Sequence, residues 1–107
     1  MNNFDKDEDK FEVLRKIQKN PNSSQRKLAN DLGFSLGKLN YCVKALKQKG
    51  LIKINNFKKN KQKLNYFYIL TPKGFVEKKN LTIKFLKIKM NEYDSLLKEL
   101  ENEKNKK

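Results

Sequence analysis

Between Ser35 and Gly50 the chain reads SLGKLNYCVKALKQKG, a stretch whose residue types serve two different faces of one helix. Leu39, Val43 and Leu46 recur at helical spacing and need a core. Ser35, Leu36, Gly37, Lys38, Asn40, Tyr41 and Lys44 are left for another face. A carboxamide, a phenol and ammonium groups at the start of one helix suit base edges and phosphates. Asn40 can pair with adenine, Lys38 with guanine or phosphate, and Tyr41 with phosphate or a thymine methyl. Gly37 lowers helix propensity but leaves bare backbone for close approach. Catalytic chemistry finds fewer parts. The chain has no histidine, and its one cysteine, Cys42, falls mid-helix beside the apolar stripe, so no thiol–imidazole pair or zinc site can be assembled. Asp5, Asp7, Glu8 and Asp9 read as a solvated terminus, and there is no glycine-rich phosphate loop. The sequence predicts no enzyme, no metal and no cofactor.

The charge map points the same way. The chain has 107 residues with 26 Lys+Arg against 12 Asp+Glu, a formal net charge of +14. Only Arg15 and Arg26 are arginines, so a compositional bias toward lysine could raise the total without any polyanion partner. Such a bias would not remove acids from one region. Residues 1–34 carry a net +1 and residues 81–107 a net +2, whereas residues 35–80 carry 12 positive groups and 1 negative. The middle of the chain is therefore the expected polyanion-binding part.

The elements that must position these residues follow from periodicity and punctuation. Phe11, Val13, Leu14 and Ile17 predict a first amphipathic helix over about Glu8–Lys19, stopped by Asn20-Pro21. Ser23 or Ser24 caps a short second helix, Gln25–Leu32, which Gly33 ends. Ser35 caps the third, which Gly50 closes. Two helices joined by Gly33-Phe34-Ser35 make a helix-turn-helix pattern. LIKINNF and LNYFYILT suit strands, with the polar KKNKQK as an exposed connection, and together they predict a hairpin. Pro72 and Gly74 are expected to stop the second strand before a long helix from Phe75 or Val76 to near Glu103. The fold class is mainly α with a β-hairpin wing.

The segments SQRKLANDLGFSLGKLNYCVKALKQKGLIKINNF and LNYFYILTPKGF resemble the winged helix-turn-helix of MarR-type regulators, most closely the short EPS-associated MarR-family transcriptional regulators. The resemblance spans about residues 10–100. It implies sequence-specific binding of double-stranded DNA by the helix containing Ser35–Lys49, a wing tipped by Lys58, Lys59, Lys61 and Lys63, and a dimer. It also implies regulation of exopolysaccharide or other cell-surface polysaccharide genes. Longer MarR-type proteins build phenolic-ligand pockets from extra helices at both ends. Little of that is present here, so a small-molecule effector is not carried over. An RNA-binding module or a protein-interaction adaptor on the same scaffold is the alternative. The aromatics Tyr66, Phe67 and Tyr68 suit a strand core better than a base-stacking platform.

The last helix carries Ile83, Leu86, Met90, Tyr93, Leu97 and Leu100 at alternating steps of three and four, the a and d positions of a coiled coil, and these are the expected homodimer contacts. Leu81, Phe85 and Ile88 form a second stripe for the domain's own body. The expected organisation is a disordered acidic N-terminus at 1–7, a winged helix-turn-helix domain at 8–74, a dimerisation helix at 75–103 and a tail at 104–107. No stretch approaches the roughly 18 to 20 apolar residues of a membrane span, so a soluble, cytoplasmic protein is expected.

Overall fold

The computed structural model describes residues 6–60 and 63–105, with side chains outside 56–67. Three helices come first, α1 (Asp7–Lys19), α2 (Gln25–Leu32) and α3 (Leu36–Gln48); strands β1 (Ile52–Asn60) and β2 (Lys63–Leu70) follow, and α4 (Pro72–Asn105) ends the order. The local signals for the first three helices act as their chemistry requires. Ser24 accepts the Lys27 amide at 3.1 Å, and Ser35 accepts the Lys38 amide at 3.0 Å. Each hydroxyl thus satisfies an amide that the first turn leaves without a partner. Gly33 ends α2 in the left-handed region at φ 71°, which lets the Phe34 amide return to the Ala29 carbonyl at 2.9 Å.

One core joins these elements. Val13, Leu14 and Ile17 from α1, Leu28 from α2, and Leu39, Cys42, Val43 and Leu46 from α3 are fully buried or nearly so. Leu51, Ile52, Tyr68 and Leu70 close it from the base of the hairpin. The strands pair antiparallel from Ile52 opposite Leu70 to Asn60 opposite Lys63, with an irregularity between Lys58 and Asn60. The strands therefore run further than the polar sequence KKNKQK suggests. Lys58 and Lys59 belong to β1 and Lys63 to β2, because ladder hydrogen bonds are made by the backbone whatever the side chain. The Tyr68 amide donates to the Pro21 carbonyl at 3.1 Å and ties β2 to the α1–α2 corner.

The second departure from the sequence expectation lies where β2 meets α4. Pro72 and Gly74 do not keep the long helix waiting until residue 75, because Pro72 opens it and both residues lie within it. Proline suits a first helical position, where the missing amide would have had no partner. Thr71 then acts as a clasp. Its hydroxyl donates to the Gly50 carbonyl at 2.6 Å and accepts from the Gly74 amide at 3.0 Å, while its own amide donates to the Leu51 carbonyl at 3.0 Å. Gly74 is buried against that same Leu51 carbonyl, and a Cβ added there would stand 2.0 Å from its oxygen. The glycine is required by contact, not by φ.

At the other end α1 begins at Asp7, so residue 7 is helical and not part of a disordered tail, while Asp5 lies outside the described residues. Asp7 accepts from Lys84 of α4 and pairs with Lys10 at 3.8 Å. The hydrogen bond from Lys84, foremost among the causes, holds the Asp7 carboxyl below its ordinary value. Lys10, largely buried, reaches Glu77 of α4 at 2.9 Å, and Phe11 stacks on Phe85 with centroids 5.2 Å apart. These contacts fasten the first turns of α4 to the body, and Leu81 is buried with them. Gly74→Ala should destabilise the domain by about 1 to 3 kcal/mol in urea unfolding despite its better helix propensity, because the Leu51 backbone would have to move.

Candidate nucleic-acid interface

The α3 helix divides its faces as its sequence requires. Leu39, Cys42, Val43 and Leu46 face the core, while Ser35, Leu36, Gly37, Asn40, Tyr41 and Lys44 are exposed. Leu36 and Tyr41 keep 44% and 48% of their surface in water, more than packing alone would leave to residues of their size. A Cβ on Gly37 would meet nothing within 4 Å, so no intramolecular packing demands glycine there. Lys38 is placed differently from its neighbours. Its ammonium lies 3.2 Å from Asp9 of α1 and 4.1 Å from the Phe34 ring centroid. It is half-buried at the edge of the face, engaged by its own chain.

The surroundings are basic. No acidic residue occurs between Ser35 and Val76, and Lys47 and Lys53 are exposed beyond Lys44. The α2 helix adds residues that the sequence reading leaves out. Arg26, Lys27 and Asn30 share with Phe34 and Leu36 a shallow cleft of about 580 Å³ between α2 and the start of α3. Arg26 is one of only two arginines and sits in the first turn of the helix before α3, which is the sequence signal that could have singled it out. Of the expected wing lysines, Lys61 lies outside the described residues. Lys58, Lys59 and Lys63 are placed by their backbone on the strands next to it.

The expected dimer contacts stand apart from this face. Ile83, Leu86, Met90, Tyr93, Leu97 and Leu100 are all exposed on α4, from 37% at Leu97 to 65% at Tyr93. The later turns of α4 are not folded back onto the body in this structure. The helix runs ~51 Å at 1.5 Å per residue, within a molecule 73 Å in its longest dimension.

Known proteins can now be set beside this geometry. A sequence profile for winged helix-turn-helix DNA-binding domains matches residues 7–53. Sequence comparison with curated proteins finds no match. Among solved structures, Staphylococcus aureus MarR in complex with salicylate and kanamycin superposes with a TM-score of 0.65 at 20% identity, over 90% of this chain and 67% of that one. Streptococcus pneumoniae FabT in complex with DNA gives a TM-score of 0.61 at 20% identity, over 88% and 70%. The repressor CouR bound to a 23-mer DNA duplex gives 0.60 at 23% identity, over 86% and 70%. The fold is the MarR-type winged helix-turn-helix. In that fold α2 and α3 form the helix-turn-helix and β1–β2 the wing, and α4 corresponds to the long helix that follows the wing.

Cys42 has no place in a chemical step. It is buried in the α3 core, and desolvation, aided by the charge of Asp9, pushes its thiol up to about 12. The thiolate is the reactive form. Iodoacetamide at pH 8 should therefore leave Cys42 unmodified in the folded protein and alkylate it once urea unfolds the chain; rapid labelling of the folded protein, read by intact mass, would contradict this placement.

Proposed function

We propose that this protein is a sequence-specific regulator of transcription that binds double-stranded DNA as a homodimer, with α3 in the major groove and the wing on the flanking backbone. The observation that carries the reading is the exposed, acid-free face of α3, with Gly37, Asn40, Tyr41 and Lys44 pointing outward in a MarR-type fold. Two proteins of that fold, FabT and CouR, have been solved on DNA. Asn40 offers a bidentate pairing for adenine, Lys44 and Arg26 offer phosphate contacts, and Gly37 admits the duplex backbone closely. Lys38, held by Asp9 and Phe34, contributes at the edge of this set. Leu36 presents an apolar surface to a thymine methyl. Among the described residues no helix is long and apolar enough to cross a membrane, and a regulator of this kind acts in the cytoplasm.

The genes proposed as targets are those for exopolysaccharide or another cell-surface polysaccharide, a reading that rests on the resemblance of the LGFSLGKLNYCVKAL, KGLIKI and LTPKG segments to the EPS-associated regulators. Dimerisation is supported by the run of exposed apolar residues on α4, larger than an isolated soluble helix keeps in water. A single domain of this size would cover a small site. A two-fold pair presents half-sites about one helical turn, ~34 Å, apart.

Fluorescence anisotropy at fixed salt, on duplex from the protein's own upstream region, random duplex and single-stranded RNA, tests the reading. Tight binding only to the upstream duplex is expected, and equal binding to RNA and duplex would overturn it. Within that assay Asn40→Ala should cost about 1 to 3 kcal/mol on the specific site and much less on random duplex. Replacing Lys58, Lys59, Lys61 and Lys63 with glutamine should instead weaken both complexes alike. The log–log salt slope should flatten by about one unit for each phosphate that the wing no longer neutralises.

A further inference from the structure

We propose that two copies of α4 pack antiparallel, so that the acidic second half of each helix lies along the lysine-rich first half of the other, beside the groove between α1 and α4. The proposal rests on the dimer reading above and adds to it an orientation, a register and an occupant for the groove.

Charge gives the orientation. Residues 72–89 carry six lysines and one glutamate, whereas residues 90–105 carry five acidic residues and two lysines. A parallel pair would lay the lysine-rich half on the lysine-rich half, relieved where Lys89 meets Asp94 of the second copy, whereas an antiparallel pair lays each lysine-rich half on an acidic one.

Spacing gives the register. From Ile83 through Leu86, Met90, Tyr93 and Leu97 to Leu100 the steps are 3, 4, 3, 4 and 3, which read the same in both directions. An antiparallel pair with its two-fold axis between Asn91 and Glu92 therefore opposes Ile83 to Leu100, Leu86 to Leu97 and Met90 to Tyr93. Every exposed apolar residue of the stripe meets another, and Lys87 comes to flank Asp94 of the second copy, twice by symmetry. In a parallel pair Tyr93 would meet itself.

The groove supplies an independent observation. About 630 Å³ of open space lies between α1 and α4 over the Phe11–Phe85 stack; its floor is apolar, with Leu86 and Ile88, and its rim balances Arg15, Lys78 and Lys89 against Glu8, Glu12 and Glu92, so it attracts an apolar side chain and not a net charge. Leu96 is 64% exposed yet belongs to neither the stripe nor the body. The antiparallel register turns Leu96 toward Lys89 and the groove of the second copy, whereas a parallel pair would set it beside Glu101. The same register places the two Leu81 anchors roughly 32 Å apart along the helix axis, close to the ~34 Å turn of duplex DNA.

Disulfide trapping decides the orientation in the full chain. Ile83→Cys and Leu100→Cys replace exposed side chains, and buried Cys42 can remain. Seventeen residues separate the two positions, so like positions of an antiparallel pair stand about 26 Å apart, far beyond the ~7 Å Cα limit of a disulfide. Under mild oxidation neither variant alone should crosslink, and an equimolar mixture should give a linked dimer on a non-reducing gel. Self-crosslinking of Leu100→Cys would establish parallel pairing and overturn the proposal while leaving the dimer intact. A dimer by sedimentation that crosslinks in neither format would overturn the register. A chain sedimenting as a monomer at tens of micromolar would remove the dimer reading itself.

Discussion

The contact of Thr71 and Gly74 with Gly50 and Leu51 fixes the course of the chain after α3. Gly50, at φ 75°, turns the chain out of α3, and the Leu51 amide closes back on the Leu46 carbonyl at 3.0 Å. Thr71 then brings the far end of the hairpin to the same place with one hydroxyl and one amide. The two strand ends at the body are thereby adjacent, which sets the base of the wing beside the C-terminus of α3. Gly74 lets α4 start against the Leu51 backbone with no side chain between them. Interface helix, wing and long helix share a single root.

With that root in place, a core of modest size is enough. The α3 helix spends one face on Leu39, Cys42, Val43 and Leu46 and leaves Gly37, Tyr41 and Lys44 exposed on the opposite face. The α1 helix serves both neighbours: its apolar residues fill the core, while Asp7 and Lys10 engage α4 and Asp9 engages Lys38. Exposed ion pairs contribute little each. The α3 helix itself carries no acid, so its outward face is left to cations and neutral groups.

What the sequence disclosed was mostly local. Ser24, Gly33, Ser35 and Gly50 act within a few residues of themselves, through caps and left-handed turns, so their roles could be read from the neighbouring letters. Pro72 was open to two readings because proline ends a strand and begins a helix by the same lack of an amide. Only the Thr71 contacts with Gly50 and Leu51, some twenty residues earlier, decide between them. The lysine-rich turn concealed the length of the hairpin because polarity reports on exposure and not on the backbone ladder. The engagement of Lys38 by Asp9 joins residues far apart in the chain and left no trace in either segment. The exposed stripe of α4, by contrast, was legible from its spacing, since nothing in the body competes for it.

After Gly74, α4 contains neither glycine nor proline, and it passes without a break from the buried root to the exposed turns. Such a helix behaves as a stiff lever. A tilt of ~10° at Thr71 would carry its far end through about 9 Å over a ~51 Å arm. The converse also holds: anchoring the far end leaves the root almost no angular freedom. Small adjustments beside Leu51, at the root that α3 and the wing share, are in this way magnified into large displacements at the far end of the lever.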